Sequence, residues 1–210
     1  HVQITLESHL PDIHDAMVAC KGAWKQTVAG VRNAVHSKLY MMTNTTMLEA
    51  NSPHMAKTLD FLAELGVPTV GLNALINAGH GATVGTGLRE SELPALLELA
   101  RLQTDIHGQR LIWYTPTQYC NFDPMQLELG VKGCTAALYN MCIEPDGSVL
   151  PCQSYYHSLG NSLESDWDDI WNHDLCISLR ERKYVQEKCH DCLLLAECGG
   201  GCPLATDFYE

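Results

Sequence analysis

Residues 189–202 read CHDCLLLAECGGGC, which places four cysteines at the spacing C-x2-C-x5-C-x3-C: Cys189, Cys192, Cys198 and Cys202. The whole chain has ten cysteines, and eight of them lie between Cys134 and Cys202. Thiols at this density form disulfides or bind metal. The N-terminal residues show no basic region followed by an apolar run, so no secretory signal is found. Clustered thiols without such a signal favour metal binding.

Composition and charge narrow the possible partners. The chain has 210 residues, of which 46% are hydrophobic and 18% charged, as in a folded protein. Its formal net charge is −12, and we find no basic patch, so nucleic acid and anionic membranes are not expected partners. No apolar run reaches the roughly 18 residues that span a bilayer. We therefore expect a cytoplasmic protein.

The chain before Cys134 alternates between strand-like and helix-like segments. Strands are predicted at 2–6, 39–48, 67–76 and 110–114, and helices at 24–38, 52–66 and 91–108. Ser52 is predicted to cap one helix, with Pro53 at its first position and Gly66 at its end, and Ser91 is predicted to open the next. Strands joined by helices predict an α/β fold with a parallel sheet and right-handed crossovers.

Polar residues follow each predicted strand. They are Glu7 and Ser8, then 44–46, 73–77 and 115–118. The carboxyl ends of parallel strands usually carry the functional groups, so a polar ligand is expected there. The Gly-rich segment 77–87 has no nucleotide-binding spacing, and we interpret it as a mobile loop over the strand ends.

The C-terminal part has a different pattern. Residues 142–152 read CIEPDGSVLPC, where Asp146-Gly147 predicts a hairpin turn that brings Cys142 and Cys152 together. Seven cysteines then form a candidate metal-ligand set: Cys134, Cys142, Cys152, Cys189, Cys192, Cys198 and Cys202.

Two kinds of metal centre can use this set. Zinc commonly takes two C-x2-C pairs, and only one such pair occurs here. Iron–sulfur clusters take four thiolates each and tolerate irregular spacing. Seven thiolates are one short of two clusters.

The order of these cysteines resembles that of the SPASM domain at the C-terminal end of radical S-adenosylmethionine (SAM) enzymes. The resemblance rests on Cys134-x12-Gly147-x4-Cys152, IEPDGSVLPC, LGN, a Trp-containing helix and ECGGGCP. The earlier segments TLES with His14-Asp15, TNTTM and Gly79-His80-Gly81 resemble strand ends in the second half of the partial (β/α)6 radical SAM barrel. The resemblance implies a half-barrel over residues 1–130 and a SPASM domain over 131–210.

The resemblance also implies ligand sets. One auxiliary [4Fe–4S] cluster would be held by Cys134, Cys142, Cys152 and Cys202. A second would be held by Cys189, Cys192 and Cys198 with a cysteine further downstream. SAM or substrate would meet Glu7, Ser8, Asn44 and Asn73. The implied partners are a peptide or small-molecule substrate and a reductant such as flavodoxin or ferredoxin.

One departure from the family concerns the catalytic cluster. Radical SAM enzymes hold it with C-x3-C-x2-C, which this sequence lacks. We therefore expect a fragment of a longer protein that is inactive alone, while the intact protein generates a 5′-deoxyadenosyl radical. An electron-transfer module without SAM cleavage and a zinc-binding interaction module remain alternatives.

Three cysteines lie outside the ligand pattern, namely Cys20, Cys120 and Cys176. Free cysteines are usually buried and inert. Cys120 is a possible exception, because it follows a predicted strand end, where a thiol could donate hydrogen or ligate iron.

Overall fold

A computed structural model describes residues 1–208, and its internal contacts group the chain into two compact units. Unit 1 comprises His1–Leu75, Thr86–Thr115 and Pro124–Gly130. Unit 2 comprises Ile76–Gly85, Pro116–Asp123 and the described residues from Val131 onward. Two segments before residue 130 thus group with the Cys-rich part, while the predicted domain boundary itself stays a prediction. Within the described chain, no helix has both the length and the apolar character needed to cross a membrane.

Unit 1 is built on a four-stranded parallel sheet. Its strands pair in chain order and are β1 (Val2–Thr5), β2 (Met41–Met47), β3 (Thr69–Ala74) and β4 (Arg110–Trp113). The helices of this unit are α1 (Pro11–Met17), α2 (Ala23–Val35), α3 (Met55–Glu64) and α5 (Leu93–Ile106). The predicted parallel sheet is confirmed, with each strand shorter than its predicted range because the terminal residues lie outside the hydrogen-bonded ladder.

Two predicted helix starts are wrong. Short 3₁₀ turns precede α3 and α5, and the Ser52 hydroxyl donates to the carbonyl of Glu49 rather than capping α3. Before α5, the Glu92 carboxylate accepts the backbone N–H of Arg89, so Ser91 is not the cap. The predicted stop after α3 is confirmed, because Gly66 has φ +81°, a left-handed conformation that favours glycine.

Register brings the polar strand ends of unit 1 side by side. Thr5 pairs with Asn44, and Thr46 pairs with Asn73. The sheet is fixed in place by fully buried apolar side chains from strands and helices, including Leu6, Val31, Leu59, Leu62, Leu72, Leu97 and Trp113. Burying each such side chain stabilises the fold by about 1.5–3 kcal/mol.

Unit 2 has little regular structure. It contains helix α4 (Gly81–Val84), an antiparallel hairpin of β5 (Cys142–Ile143) and β6 (Val149–Leu150), and helices α6 (Trp167–Trp171), α7 (Asp174–Arg180) and α8 (Leu195–Cys198). Short 3₁₀ segments cover Glu187–Cys189 and Pro203–Phe208. The predicted hairpin at Asp146-Gly147 is confirmed. A small core of Ala137, Val149, Ile170 and Cys176 lies beneath it.

Candidate functional site

The first group of thiols in unit 2 consists of Cys134, Cys152 and Cys202. The pKa of Cys202 is raised to about 11, mainly by burial and also by the neighbouring Cys134 and Cys152 thiols. Burial also raises the pKa of Cys134, with Cys152 adding to the effect. Cys134 and Cys152 are therefore electrostatic neighbours of Cys202, although Cys202 is 68 positions after Cys134 in the chain.

Cys142 lies at the edge of this first group. It pairs with Leu150 across the hairpin, and Cys152 is among the groups that raise the pKa of its thiol. Burial is the largest cause of that rise, followed by the Glu144 carboxylate, to which the Cys142 thiol donates a 3.8 Å hydrogen bond. The predicted proximity of Cys142 and Cys152 is therefore observed, while the role of Cys142 as a ligand stays a prediction.

Backbone N–H groups stabilise the anionic forms of two of these sulfurs. The N–H groups of Leu204 and Ala205 lower the pKa of Cys202, and the N–H of Ala136 lowers that of Cys134. Such N–H donors favour thiolate over thiol and also tune the potential of a bound cluster. The turn after Cys202 thus prepares its sulfur to act as a ligand.

The second group of thiols lines a cavity of about 240 Å³ within unit 2. Its sulfur-bearing residues are Cys120, Cys189, Cys192 and Cys198. Leu194 and Leu195 form apolar walls, and Lys188 also lines the cavity. The volume far exceeds the roughly 10–15 Å³ needed for one water molecule.

Cys198 is the most buried sulfur of this second group, with 9% of its surface exposed. Its Sγ accepts a hydrogen bond from the backbone N–H of Tyr119 at 3.3 Å and lies 3.6 Å from the Thr117 carbonyl oxygen. Cys189 has a raised pKa, caused first by burial and then by Cys120, whereas Lys188 lowers it. Cys120 therefore lies close enough to Cys189 to affect its thiol, and both residues line the same cavity.

The donor chemistry fits iron–sulfur clusters. Both groups offer soft thiolate donors, which are the usual ligands of these clusters. Across residues 1–208, no three His, Cys, Asp or Glu side chains converge closely enough to hold one metal ion. All ten cysteines lie in this range and are free thiols rather than disulfides. The sulfurs of the second group instead line a cavity.

A polar network connects the strand ends of unit 1. The carboxylate of Glu7 accepts the backbone N–H of Thr46 at 2.8 Å. The side-chain amide of Asn51 donates to the carbonyls of both Glu7 and Thr46, at 2.7 and 2.8 Å. Burial raises the pKa of Glu7 to about 7, although the bond from Thr46 opposes this rise. A carboxyl group that titrates near neutral pH can take up or release a proton.

The other predicted strand-end residues have different environments. Ser8 is fully buried, and its Oγ accepts the N–H of Leu10 at 3.1 Å. The amide of Asn73 donates to the Thr46 hydroxyl at 3.2 Å. Among residues 1–208, the Oδ1 of Asn44 is one of the buried polar atoms that have no hydrogen-bond partner. Register and hydrogen bonds thus bring Glu7 and Asn73 together around Thr46.

Sequence reasoning missed Asn51 and gave Cys120 only a possible role. Asn51 is fully buried and joins β1 to β2, but it lies in an irregular segment with no periodic signal. Cys20 is exposed, so the expectation that it is buried is wrong, and Cys120, the possible exception, is exposed as well. That expectation holds for Cys176, which is fully buried.

Comparison with known proteins gives a family match for part of the chain. Residues 134–193 match the SPASM family, described as an iron–sulfur cluster-binding domain. The chain is also similar to an AdoMet-dependent heme synthase from Methanosarcina barkeri strain Fusaro, with 22% identity over 95% of this chain and 61% of that protein.

Solved structures share the fold. Streptococcus suis SuiB bound to S-adenosylmethionine matches 96% of this chain and 49% of its own, with a TM-score of 0.75 and 16% identity. Native anSMEcpe with bound AdoMet and a peptide matches 96% of this chain and 59% of its own, with a TM-score of 0.64 and 16% identity. The chain spans about half the length of these solved relatives. The predicted fold class and the resemblance to radical SAM enzymes with a SPASM domain are therefore confirmed.

Proposed function

We propose that this chain, whose residues 134–193 belong to the SPASM family of iron–sulfur cluster-binding domains, is the cluster-carrying part of a radical SAM enzyme. The observation that carries the proposal is the separation of the thiols of unit 2 into two groups. One group contains Cys134, Cys152 and Cys202, and the other lines a cavity with Cys189, Cys192 and Cys198. Two groups of soft donors suit two auxiliary [4Fe–4S] clusters.

The two groups divide the C-x2-C-x5-C-x3-C segment between them. Cys202 lies with Cys134 and Cys152, whereas the first three cysteines of the segment line the cavity. This supports the ligand assignment in which Cys202 crosses to the first cluster, with Cys142 as its fourth ligand. Bound clusters supply one-electron transfer. The protein's contribution is to hold the thiolates and to provide N–H donors such as those of Leu204 and Ala205.

The strand ends of unit 1 are proposed to contact SAM or substrate through Glu7, Ser8, Asn44 and Asn73. Support comes from the network around Thr46 and from the buried Oδ1 of Asn44, whose hydrogen-bonding capacity is unused among the described residues. A buried acceptor without a partner is costly, so a ligand that donates to it would be stabilised. Glu7, with a pKa raised to about 7, can accept or donate a proton there.

The proposed substrate is a peptide or a tetrapyrrole-like small molecule. SuiB has been solved with its precursor peptide SuiA, and anSMEcpe with bound peptides, which supports a peptide. The name of the heme synthase supports a tetrapyrrole. A reductant such as flavodoxin or ferredoxin would supply electrons.

Metal and sulfide analysis tests the proposal. The protein, purified and reconstituted anaerobically with iron and sulfide, is expected to bind about eight irons and a matching amount of acid-labile sulfide, because two cubane clusters contain that number. Stoichiometric zinc without sulfide would contradict the proposal and support a zinc-binding interaction module. A double variant, Cys134→Ala with Cys189→Ala, is the matched control and is expected to lose both clusters.

A second candidate is an electron-transfer module that does not cleave SAM. Its support is the pair of thiol groups, because bound clusters transfer single electrons whether or not SAM is cleaved. The reconstituted chain, reduced with dithionite in the presence of SAM, is expected to form no 5′-deoxyadenosine. Joining the chain to an upstream segment that carries C-x3-C-x2-C distinguishes the candidates, since SAM cleavage would then support the enzyme and its continued absence the electron-transfer module.

A further inference from the structure

The cavity of unit 2 that holds the first three cysteines of the 189–202 segment has a fourth sulfur in its wall. Cys189, Cys192 and Cys198 come from one stretch of the chain, and Cys120 comes from a segment almost seventy residues earlier. All four belong to the same compact unit. A cluster in this cavity would therefore meet four thiols.

Cys120 is held at the cavity by hydrogen bonds on the residues just before it. The backbone N–H of Thr117 donates to the Lys132 carbonyl at 3.1 Å, and the Tyr119 hydroxyl accepts the Lys132 N–H at 2.9 Å. The Tyr119 N–H donates to the Sγ of Cys198 at 3.3 Å. The backbone and the hydroxyl of Tyr119 are thus both hydrogen-bonded within unit 2. This fixes the position of Cys120, which is the next residue in the chain.

Close packing against a glycine also fixes this segment. The side-chain amide of Gln118 donates to the carbonyl of Gly200 at 3.4 Å. A Cβ at Gly201 would lie 2.9 Å from the Cγ of Gln118, so only glycine permits this approach. The GGG run of the opening motif therefore lets the segment 117–120 pack beside α8.

The thiols of the first group do not line this cavity. Cys202, the last cysteine of the motif, has Cys134 and Cys152 as its electrostatic neighbours. Cys120, by contrast, lines the cavity together with Cys189, Cys192 and Cys198.

The remaining wall suits an anionic cluster. Four thiolates and a [4Fe–4S] core together carry negative charge, and Lys188 lines the same cavity. Leu194 and Leu195 provide apolar surface in the cavity wall, and the polarity of the surroundings is one of the factors that set cluster potential. The hydrogen bond from the Tyr119 N–H to the Sγ of Cys198 also affects the reduction potential of a cluster bound there.

We propose that Cys120 is the fourth thiolate ligand of the iron–sulfur cluster held by Cys189, Cys192 and Cys198. The inference rests on the proposed function, because it presupposes that these thiols bind a cluster. It replaces the expected downstream cysteine with one that lies before the SPASM match. The ligand set of this cluster is then contained in the chain.

Iron analysis and EPR spectroscopy in a simplified background test the assignment. The double variant Cys134→Ala with Cys202→Ala keeps only the cavity cluster and is expected to bind about four irons. Adding Cys120→Ala is expected to reduce the iron content to about three or fewer and to change the EPR spectrum of the reduced protein. Adding Cys20→Ala instead, which removes an exposed thiol of unit 1, is the matched control and should change neither.

The Cys120→Ser variant provides a second measurement that does not depend on losing iron. A serine oxygen is a harder and weaker ligand than a thiolate, so the cluster should persist with an altered EPR spectrum and a shifted reduction potential. An unaltered spectrum and full iron content in both Cys120 variants would overturn the assignment. Loss of the other cluster, measured with Cys120→Ala in a Cys189→Ala background, would overturn it as well.

Iron analysis distinguishes an error in the Cys120 assignment from an error in the proposed function. If the unaltered protein bound no iron and sulfide, the proposed function itself would be wrong. If it bound about eight irons and Cys120→Ala kept them all, only the assignment of Cys120 would be wrong.

Discussion

The backbone N–H of Tyr119 donates a buried hydrogen bond to the Sγ of Cys198 at 3.3 Å, across 79 positions of sequence. This bond joins the segment that carries Cys120 to the helix that ends at Cys198. Hydrogen bonds to the ligand sulfurs are among the factors that set the potential of a bound iron–sulfur cluster. The same contact therefore brings a distant cysteine to the cavity and prepares a ligand within it.

The Tyr119 hydroxyl gives a first prediction. Tyr119→Phe removes the acceptor of the Lys132 N–H but keeps the ring and the backbone bond to Cys198. We expect the free energy of unfolding to fall by about 1 kcal/mol, the usual net value of one hydrogen bond. Urea denaturation followed by circular dichroism measures this.

The control for that variant is Tyr139→Phe, because the Tyr139 side chain is 83% exposed. Its effect should stay within about 0.5 kcal/mol. Iron content should be unchanged in both variants. Loss of the cavity cluster in Tyr119→Phe would show that the hydroxyl, rather than the backbone N–H, prepares the site.

The position of Cys202 gives a second prediction. Cys202→Ala should remove the cluster that Cys134 and Cys152 share and largely spare the one in the cavity, because its electrostatic neighbours are Cys134 and Cys152. Iron should fall from about eight to about four per chain. EPR spectra compared with those of Cys134→Ala and Cys192→Ala identify which cluster is lost. A spectrum matching the loss seen in Cys192→Ala would refute the crossed assignment.

The hairpin turn gives a third prediction. Gly147 has φ +89°, and a Cβ there would lie 2.6 Å from the Oδ1 of Asn161, whose amide donates to the carbonyl of Asp146. Gly147→Ala should therefore destabilise the protein by more than the roughly 1–2 kcal/mol of a left-handed alanine. Because the turn positions Cys152, iron at the first cluster should also fall.

The matched control is Gly30→Ala in α2, where a Cβ meets no atom within 4 Å. An alanine in the interior of a helix should stabilise the protein by about 0.5–1 kcal/mol. Thermal denaturation of both variants provides the comparison. Equal melting temperatures for the two variants would contradict the role given to the turn.

The buried carboxyl of Glu7 gives a fourth prediction. Its pKa is raised from 4.5 to about 7 by burial, so the folded state binds the proton more tightly than the unfolded state does. Stability is then present in full below pH 4.5 and declines as the pH rises to about 7. The decline is at most about 3 kcal/mol, from 1.36 kcal/mol per pKa unit.

Glu7→Gln should remove this pH dependence, since its amide oxygen can still accept the Thr46 N–H. The variant should gain stability relative to the unaltered protein between pH 5 and pH 8 in urea denaturation. Glu64→Gln changes an exposed glutamate and serves as the control. An identical pH profile for Glu7→Gln and the unaltered protein would show that Glu7 is not a buried acid of this kind.

The architecture could be predicted from local sequence patterns. Alternating segments placed all four strands of the sheet, because strand and helix periods depend on neighbouring residues alone. The Asp146-Gly147 pair predicted the hairpin for the same reason, since turn geometry requires a particular backbone conformation at two positions. The helix starts at Ser52 and Ser91 were wrong because nearby 3₁₀ turns replaced the expected caps.

The candidate site was only partly predictable. Glu7 and Asn73 were found as strand ends, but the side chain of Asn51, which joins two of those ends, gave no signal in an irregular segment. The seven clustered cysteines were recognised by their spacing, which is a property of the chain. Cys120 lies outside that spacing pattern, so its position in the sequence provided no reason to group it with Cys189, Cys192 and Cys198.

What the sequence by itself determined is therefore the parallel sheet, the hairpin and the cysteine motif, because each depends on residues near one another in the chain. Only the tertiary structure brought Cys120 beside Cys189, whereas the grouping of Cys202 with Cys134 and Cys152 was already implied by the family resemblance. The physical reason is that long-range contacts such as Tyr119 to Cys198 form between segments whose separation along the chain carries no record of their proximity.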